Sequence, residues 1–509
     1  MGQTTVYMAL NSVASEKIRS GGRHKIIRFL QRKVAKGYTY MIGFIIVGLV
    51  VLWHFRASIG NAGFLVGGER NILDKVFRNF TFLSFEHART LKNGFGSQII
   101  IELSNASKEC EYKNGIKLNI VKPSFPKKID FRSMKVPTEK VAGYIRVLHY
   151  SEQMTMSVRA LIALAGQAKI GDRNILSPRV KDSRFGPNGF SLGKYFNMAY
   201  FNKVLALSNY AALVGEKDYE AECSLANSSH VIIHFLYERD HKHTKKRLHF
   251  NEKPHISVRT SPTGRVGSAK CPAPRHSLAR NLNAKYICVD VGKVTEWSKL
   301  EKEVIQGARC VTITNWRGIG NTFRTHFTEK HLKVYRKDLQ FLLQPSVHIL
   351  READRYRRVF DGPYIGVHLR AEKILSTHNV SQLLCCVRVL GELIKALKAI
   401  SGITQVLIAS DARSFGSYEW KKLEELHGEV LKNLHSSLIS TVDGVEYKPT
   451  AGYLDHGIVA LVEMNLLTRA RHLIAVGKGS FQEWIKSKFL EQHRGVYEPS
   501  WSLITMCSE

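Results

Sequence analysis

The sequence lacks several motifs that would assign it to a well-known class of enzyme. It has no GxxxxGKS/T run, so a P-loop kinase or ATPase is unsupported. It has no CxxC pair, which argues against a zinc site. It also has no DxD pair, which is the kind of carboxylate pair that holds a divalent ion. The function must therefore be read from other patterns.

Acidic residues are scarce, since 43 Asp and Glu stand against 75 Lys and Arg among 509 residues. Such a positive field favours polyanionic partners, among them nucleic acid, an anionic membrane surface, acidic glycans and a nucleotide-sugar diphosphate. The hydrophobic share of 44% and the charged share of 23% are those of a folding chain rather than a disordered one. The length predicts two or three domains.

Charge is absent from residues 38–55, YTYMIGFIIVGLVVLWHF, whose ends carry Tyr38, Tyr40 and Trp53. A run of roughly 18 to 20 apolar residues spans a bilayer core, and aromatic belts mark its borders. The residues before it hold the single acid Glu16 and many bases: Lys17, Arg19, Arg23, Lys25, Arg28, Arg32, Lys33 and Lys36. The positive-inside rule predicts a cytosolic tail at 1–37, a transmembrane signal anchor at 38–55 and a lumenal remainder, in the Golgi or endoplasmic reticulum membrane. A cleaved signal peptide and a buried core helix are the alternatives. The predicted topology argues against nucleic acid as a partner.

Cysteine usage agrees with this topology, because all eight cysteines follow the predicted anchor and lie where disulfides form. Their even number permits full pairing, but the sequence does not define the connectivity. Four N-x-S/T sequons, at Asn79, Asn105, Asn227 and Asn379, also fall on the predicted lumenal side. They are consistent with the topology and do not prove it.

The remaining chain divides into a stem and two halves. Residues 56–140 mix Gly, Lys, Asn and Ser with short apolar runs and predict a stem, with some structure near 97–121. From residue 141 onward, apolar runs alternate with helix-like periods, as in an α/β protein. In the N-terminal half, 141–345, we expect a helix at 151–168 and strands at 143–150, 174–180, 229–237, 286–291 and 310–314. The basic segment 238–253 is interpreted as a solvated loop, with a polyanion or acceptor contact as the alternative.

The C-terminal half, 346–509, has the clearest pattern. A helix is predicted where apolar residues recur at spacings of 4, 3, 4 and 3: Leu383, Val387, Leu390, Ile394 and Leu397. We expect further helices at 455–470 and 480–490 and strands at 363–370, 404–411, 437–441 and 472–477. This alternation predicts parallel pairing with right-handed crossovers. Two such Rossmann-like sheets facing one another would form a cleft at the carboxyl ends of their strands, where nucleotides bind.

Three polar sites follow strands of the C-terminal half. His368 and Arg370 close the first strand, and arginine offers a planar fork that fits phosphate oxygens two at a time, although a strand-end arginine can also simply meet solvent. Asp411 follows the next strand and could accept a hydrogen bond from a nucleoside or cap a helix. The turn GKGSF, 477–481, opens a helix whose N–H groups, with the Ser480 hydroxyl, make an anion site or a plain helix cap. Without a DxD pair, such donors would neutralise a leaving phosphate in place of a metal.

These sites lie in segments that resemble the signatures of the GDP-fucose protein O-fucosyltransferase superfamily. PYIGVHLRAEK (363–373) resembles the first signature, a strand ending in H-x-R, in the H-L-R-x-E-K form of the large O-fucosyltransferase group with plant members. VLIASD (406–411) is similar to the second signature, and VALVEMNLLTRARHLIAVGKGSFQEWI (459–485) to the third. Order and spacing agree across all three. The resemblance is specific over 363–485, diffuse over 143–314 and absent from the first 140 residues.

The resemblance implies a GT-B-like α/β fold, with two Rossmann-like domains facing a cleft. It implies inverting, metal-independent transfer of fucose from GDP-fucose to a hydroxyl of a protein or glycan acceptor, with GDP-fucose as donor substrate and no cofactor. Arg370 would contact the β-phosphate and stabilise departing GDP, and His368 would line the same pocket. Asp411 would bind the nucleoside, and Ser480 with Phe481 would seat the phosphate and the base.

The acceptor side is less well defined. In the family a loop after the first N-terminal strand completes the site; here that loop is 149–157, and its Glu152 could act as general base. The family usually shows glycine and asparagine in this loop, and this sequence does not. Asn315 and Arg317 are further candidates for acceptor contact. A related glycosyltransferase with another donor, such as a rhamnosyl nucleotide, and a catalytically inactive GT-B-fold binding protein remain open. A Golgi sulfotransferase would need a PKxGTT-like loop, which is absent.

Overall fold

The computed structural model describes residues 118–120, 141–150, 153–223, 229–237, 268–270, 284–291, 296–317, 339–377, 380–411, 418–494 and 501–507. All of these belong to one compact unit, Asn71–Glu509. Within the described ranges, no helix has the length and apolar character needed to span a bilayer. The predicted tail and anchor, the four sequons and the basic segment 238–253 lie outside the described residues and stay predictions.

The N-terminal half is built around a parallel sheet. Its described elements, preceded by one short strand, are β1 (Leu118–Ile120), β2 (Gly143–Val147), α1 (Met154–Ile170), β3 (Arg173–Leu176), β4 (Arg179–Lys181), β5 (Arg184–Gly186), β6 (Phe190–Ser191), α2 (Met198–Ala206), β7 (Leu213–Val214), α3 (Glu216–Cys223), β8 (His230–Leu236), β9 (Ser268–Lys270), β10 (Ala284–Asp290), α4 (Trp297–Leu300) and β11 (Cys310–Ile313). The sheet order is β7-β3-β2-β11-β8-β10-β9, and only β9 pairs antiparallel. All seven residues of β8 are buried, as expected for a central strand covered on both faces.

The C-terminal half carries a second, six-stranded sheet. Its elements are α5 (Leu339–Leu342), α6 (Val347–Arg357), β12 (Ile365–Leu369), α7 (Ala371–Thr377), α8 (Val380–Ser401), β13 (Val406–Ser410), α9 (Tyr418–Thr441), β14 (Gly444–Val445), α10 (His456–Thr468), β15 (His472–Val476), α11 (Ser480–Gln492) and β16 (Ser502–Met506). The order is β1-β16-β15-β12-β13-β14, parallel except for β1. The strand β1 comes from the predicted stem region, where some structure was expected. Two parallel α/β sheets are thus confirmed.

Two local predictions were wrong, and one predicted helix is confirmed with a later start. The strand expected at 437–441 is the end of α9, because Leu431, Leu434 and Leu438 are buried at helical spacing and continue the helix. The single strand expected at 174–180 is two strands, β3 in the seven-stranded sheet and β4 in a three-stranded sheet of order β5-β4-β6, since the sequence Ser177-Pro178 interrupts the run and proline has no amide to donate. The helix expected from residue 151 begins at Met154, inside the loop that was predicted to complete the site.

Two hydrophobic cores cover the C-terminal sheet on opposite faces. Leu407 and Leu473 belong to a core shared with α10 and α11, and this core continues into β2 and α1 of the N-terminal half. Ile408 and Ile474, one residue later on the same strands, belong to a separate core with α8 and α9. The alternation follows from the two-residue repeat of a strand. The first core therefore joins the two halves.

Each half is crosslinked by a disulfide bond between two of its own elements. Cys223 of α3 is bonded to Cys310 of β11, and Cys386 of α8 is bonded to Cys507 just after β16. Cys288 and Cys385 are disulfide-bonded as well. Among the described residues no cysteine is free.

The helix N-termini of the two halves meet at Asp455, the residue that caps α10. Its Oδ1 accepts from two amides of the first turn of α10, at 2.9 and 3.1 Å, and from the hydroxyl of Tyr195 at 2.7 Å. Its Oδ2 accepts from the amide of Asp182 at 2.7 Å. A Cβ on Gly457 would lie 2.7 Å from the tip of Met154, the first residue of α1. The N-termini of α1 and α10, which follow the carboxyl ends of β2 and β14, therefore lie close together.

Candidate functional site

Three strand ends of the C-terminal sheet meet at one level. The parallel register aligns the last residues of β12, β13 and β15. The residues that follow, Arg370, Asp411 and Gly477, therefore leave the sheet side by side. The amide of Arg370 donates to the carbonyl of Val476 at 2.9 Å, which extends the pairing by one step. The three segments that the sequence singled out thus lie together at the carboxyl edge.

The guanidinium of Arg370 lies between two carboxylates. Its Nε is 3.4 Å from Asp411 Oδ2, and its Nη2 is 3.3 Å from Glu372 Oε2. The side chain keeps 27% of its surface exposed, so a ligand can reach the guanidinium. Glu372 was not among the predicted site residues. Its sequence signals are its place two residues after the arginine, in the first turn of α7, and its match to the glutamate of the H-L-R-x-E-K form.

Asp411 holds the start of α7. Its Oδ1 accepts from the amides of Ala371 at 2.7 Å and Glu372 at 3.4 Å, so it caps a different helix from the one considered in the sequence. The pKa of Asp411 is raised to about 6, chiefly by burial. The charge of Arg370 opposes this rise, and the charge of Glu372 adds to it. The side chain of Asp411 therefore contacts other parts of the protein: it caps α7 and pairs with Arg370. Its predicted contact with a nucleoside stays a prediction.

The turn between β15 and α11 is fixed by glycine. Gly477 has φ of +89°, and a Cβ there would lie 3.1 Å from the carbonyl oxygen of Arg370 and 3.2 Å from its Cβ. A Cβ on Gly479 would lie 3.7 Å from Nε of the same arginine. The turn therefore lies directly against Arg370, and this close approach is possible because Gly477 and Gly479 have no side chains.

The N-terminus of α11 is open toward this arginine. Gly479 is the N-cap residue and forms no side-chain cap, and Ser480 is the first helical residue rather than the cap. The first amides of a helix have no partner within the helix, and the helix dipole makes this end positive. A guanidinium and an uncapped helix N-terminus in contact form a site for an anion.

His368 and Phe481 form the apolar side of the site. Their rings are 5.9 Å apart and meet edge to face. His368 is buried, and its Nδ1 has no hydrogen-bond partner among the described residues. Burial, and secondarily the charge of Arg370, lowers the pKa of His368 to about 3, so the ring is neutral at physiological pH. The ring of His368 therefore adds no positive charge to the site.

The candidates on the acceptor side are less well supported. Glu152 lies outside the described residues, so its role as general base stays a prediction. Asn315 is buried, and both ends of its amide bind the backbone of Phe235, at 3.1 and 2.9 Å, where it continues the pairing of β11 with β8. The guanidinium of Arg317 lies over the ring of Tyr237, 5.5 Å from its centroid. Asn315 therefore has a structural use that the sequence did not reveal.

The protein matches no family model and no curated protein. Among solved structures it is similar to fucosyltransferases. One is POFUT1 in complex with GDP-fucose, with 12% sequence identity, a TM-score of 0.40, and 69% of this chain and 95% of that chain covered.

Two other similar structures come from a bacterium and a plant. The fucosyltransferase NodZ from Bradyrhizobium has 14% identity and a TM-score of 0.31, with 69% of this chain and 93% of that chain covered. FUT1 of Arabidopsis thaliana in complex with GDP has 10% identity and a TM-score of 0.29, with 70% of each chain covered. At these TM-scores the similarity says nothing about residue roles.

Proposed function

We propose that the protein is a glycosyltransferase that transfers fucose from GDP-fucose to a hydroxyl of a protein or glycan acceptor. The observation that carries the proposal is the contact of Arg370 with the glycine turn that opens α11. This site offers a permanent positive charge and unpaired backbone donors at the carboxyl edge of a parallel sheet, where nucleotides bind. The three fucosyltransferase-like signatures converge on it.

The nucleotide would lie along this edge. Arg370 and the first amides of α11 would hold the diphosphate, and Ser480 would add its hydroxyl. The neutral His368 and the ring of Phe481 would line the pocket beside the base. The roles follow from charge: the guanidinium suits the phosphates, whereas a neutral, buried ring suits the uncharged part of the nucleotide.

The reaction proposed is an inverting, metal-independent displacement. An acceptor hydroxyl attacks the anomeric carbon of fucose from the face opposite to GDP. Negative charge then grows on the β-phosphate, and Arg370 and the α11 N-terminus, fixed before the reaction begins, stabilise that charge. Glu152 is proposed as the general base that takes the hydroxyl proton.

We further propose that the protein is a type II membrane protein of the Golgi or endoplasmic reticulum, with its catalytic region lumenal. The disulfides Cys223–Cys310 and Cys386–Cys507 support a lumenal location, because such bonds persist in oxidising compartments. The charge-free segment 38–55 supports the anchor.

Turnover of nucleotide sugars by the purified full chain tests the proposal. We expect release of GDP from GDP-fucose, and loss of that release in Arg370→Ala with little change in melting temperature. Arg469→Ala is the matched control. The side chain of Arg469 is 28% exposed, against 27% for Arg370, and it also pairs with a carboxylate, that of Asp354. It lies at the C-terminal end of α10, whereas Arg370 follows the carboxyl end of β12. Full turnover in Arg370→Ala would remove its assigned role.

The same panel separates the alternatives. Turnover of a rhamnosyl nucleotide in place of GDP-fucose would identify a related transferase. Tight binding of GDP-fucose without release of GDP would identify an inactive binding protein.

A further inference from the structure

The two carboxylates beside Arg370 occupy one particular edge of its guanidinium. A guanidinium has a side-on edge, formed by Nε and Nη2, and an end-on edge, formed by Nη1 and Nη2. Asp411 is 3.4 Å from Nε and Glu372 is 3.3 Å from Nη2. Both carboxylates therefore lie beside the side-on edge as ion pairs, although Asp411 Oδ2 accepts no hydrogen bond there, whereas Nη1 has no ion-pair partner among the described residues.

Asp411 and Glu372 are themselves held in place. Asp411 is anchored by the two amides that it accepts, at 2.7 and 3.4 Å, and one of these amides belongs to Glu372. Arg370 is anchored at its backbone by the 2.9 Å bond to Val476. Arg370, Glu372 and Asp411 thus form a closed circuit in which each member fixes the next. Such a circuit restricts a long side chain that would otherwise sample many rotamers.

We propose that Glu372, together with Asp411, is a positioning residue that turns the end-on edge of Arg370 toward the phosphate. The inference rests on the proposed function and adds a residue to it. Glu372 does not touch the donor; it sets the direction from which the arginine can form two parallel hydrogen bonds to phosphate oxygens. The site consequently requires arginine, since a lysine has no planar fork to orient.

The kinetic signature of this role differs from that of a simple structural role. Glu372 is a negative charge beside an anion site, so its removal does not weaken the attraction of the site for GDP. Its removal does release the guanidinium from the orientation needed as charge develops on the leaving phosphate. Hence kcat should fall while the Kd for GDP stays constant or decreases. A structural role would instead lower stability and impair both quantities.

The experiment compares Glu372→Ala, Glu372→Gln and wild type as full chains. We expect kcat for GDP-fucose to fall about 10-fold to 100-fold in Glu372→Ala with no loss of GDP affinity. Glu372→Gln, which keeps an acceptor oxygen for Nη2, should recover most of the rate. The control is Glu392→Ala, which removes an exposed pair with Lys395 at 2.8 Å on α8 and should leave kcat unchanged. An unchanged kcat in Glu372→Ala would overturn the proposal, and so would equal losses in kcat and GDP affinity.

Failure of the proposed function has a distinct result, which is a wild-type protein that neither turns over a nucleotide sugar nor binds GDP. The positioning role is then decided by the crystal structure of Glu372→Ala. A guanidinium displaced from the turn before α11 supports it, and an unmoved guanidinium overturns it.

Discussion

Gly477→Ala tests whether the turn before α11 controls the position of Arg370. The left-handed φ of +89° costs a residue with a Cβ about 1–2 kcal/mol. The new Cβ would also lie 3.1 Å from the carbonyl oxygen of Arg370, 3.2 Å from its Cβ and 3.3 Å from Cγ1 of Ile374. Overpacking of this kind costs about 1–3 kcal/mol. We therefore expect the free energy of unfolding to fall by about 2–5 kcal/mol.

The binding of GDP should change with it. The backbone of Arg370 must shift to admit the methyl group, and its guanidinium then moves relative to α11. A loss of about 10-fold in GDP affinity corresponds to about 1.4 kcal/mol and is the size that we expect. Urea unfolding followed by tryptophan fluorescence gives the stability, and calorimetric titration with GDP gives the affinity.

Gly402→Ala is the matched control for the conformational term. Gly402 also has a left-handed φ, +67°, but its Cβ would meet no described atom within 4 Å. It should cost only the conformational term, about 1–2 kcal/mol, and leave GDP binding intact. If Gly477→Ala costs no more than Gly402→Ala and binds GDP as the wild type does, the turn does not hold the arginine.

Two further predictions concern stability. Replacing Cys386 and Cys507 by alanine opens a loop of 121 residues and should lower the free energy of unfolding by up to about 5 kcal/mol, measured by urea unfolding; no loss would contradict a stabilising role for this bond. Burial, and then the charges of Arg471 and His493, lowers the pKa of His472 to about 4. The folded protein thus holds His472 neutral at a pH where the unfolded chain protonates it. The free energy of unfolding is therefore unaffected by this group above pH about 6.5 and decreases as the pH falls toward 4. His472→Gln should therefore lose less stability than wild type between pH 7 and pH 4.5, and an equal loss in both proteins would refute this assignment.

The clustering of the site was predictable from the sequence because it depends on chain order and register alone. A strand that ends in Arg370, one that ends before Asp411 and one that ends before Gly477 must meet at one edge if all three pair in parallel. The motifs supplied the residue types, and the alternation of strands and helices supplied the parallel pairing.

Other features depend on contacts between residues distant in the chain. Asn315 was a candidate for acceptor contact, but its amide completes the backbone pairing of Phe235, 80 positions away. Glu372 is only two residues from Arg370, but its amide is bound by Asp411, 39 positions away, which caps the start of α7. The segment 437–441 contains residues that favour a strand, yet burial of Leu434 and Leu438 in the core under α9 determines a helix. Local patterns do not report such packing.

A crystal structure of the full chain with GDP tests the central claim most directly. The account predicts a phosphate group within hydrogen-bond distance of the end-on edge of Arg370 and of the first backbone amides of α11. The base should lie on the side of His368 and Phe481. A nucleotide bound elsewhere, or an Arg370 side chain turned to solvent while GDP is bound, would contradict the account.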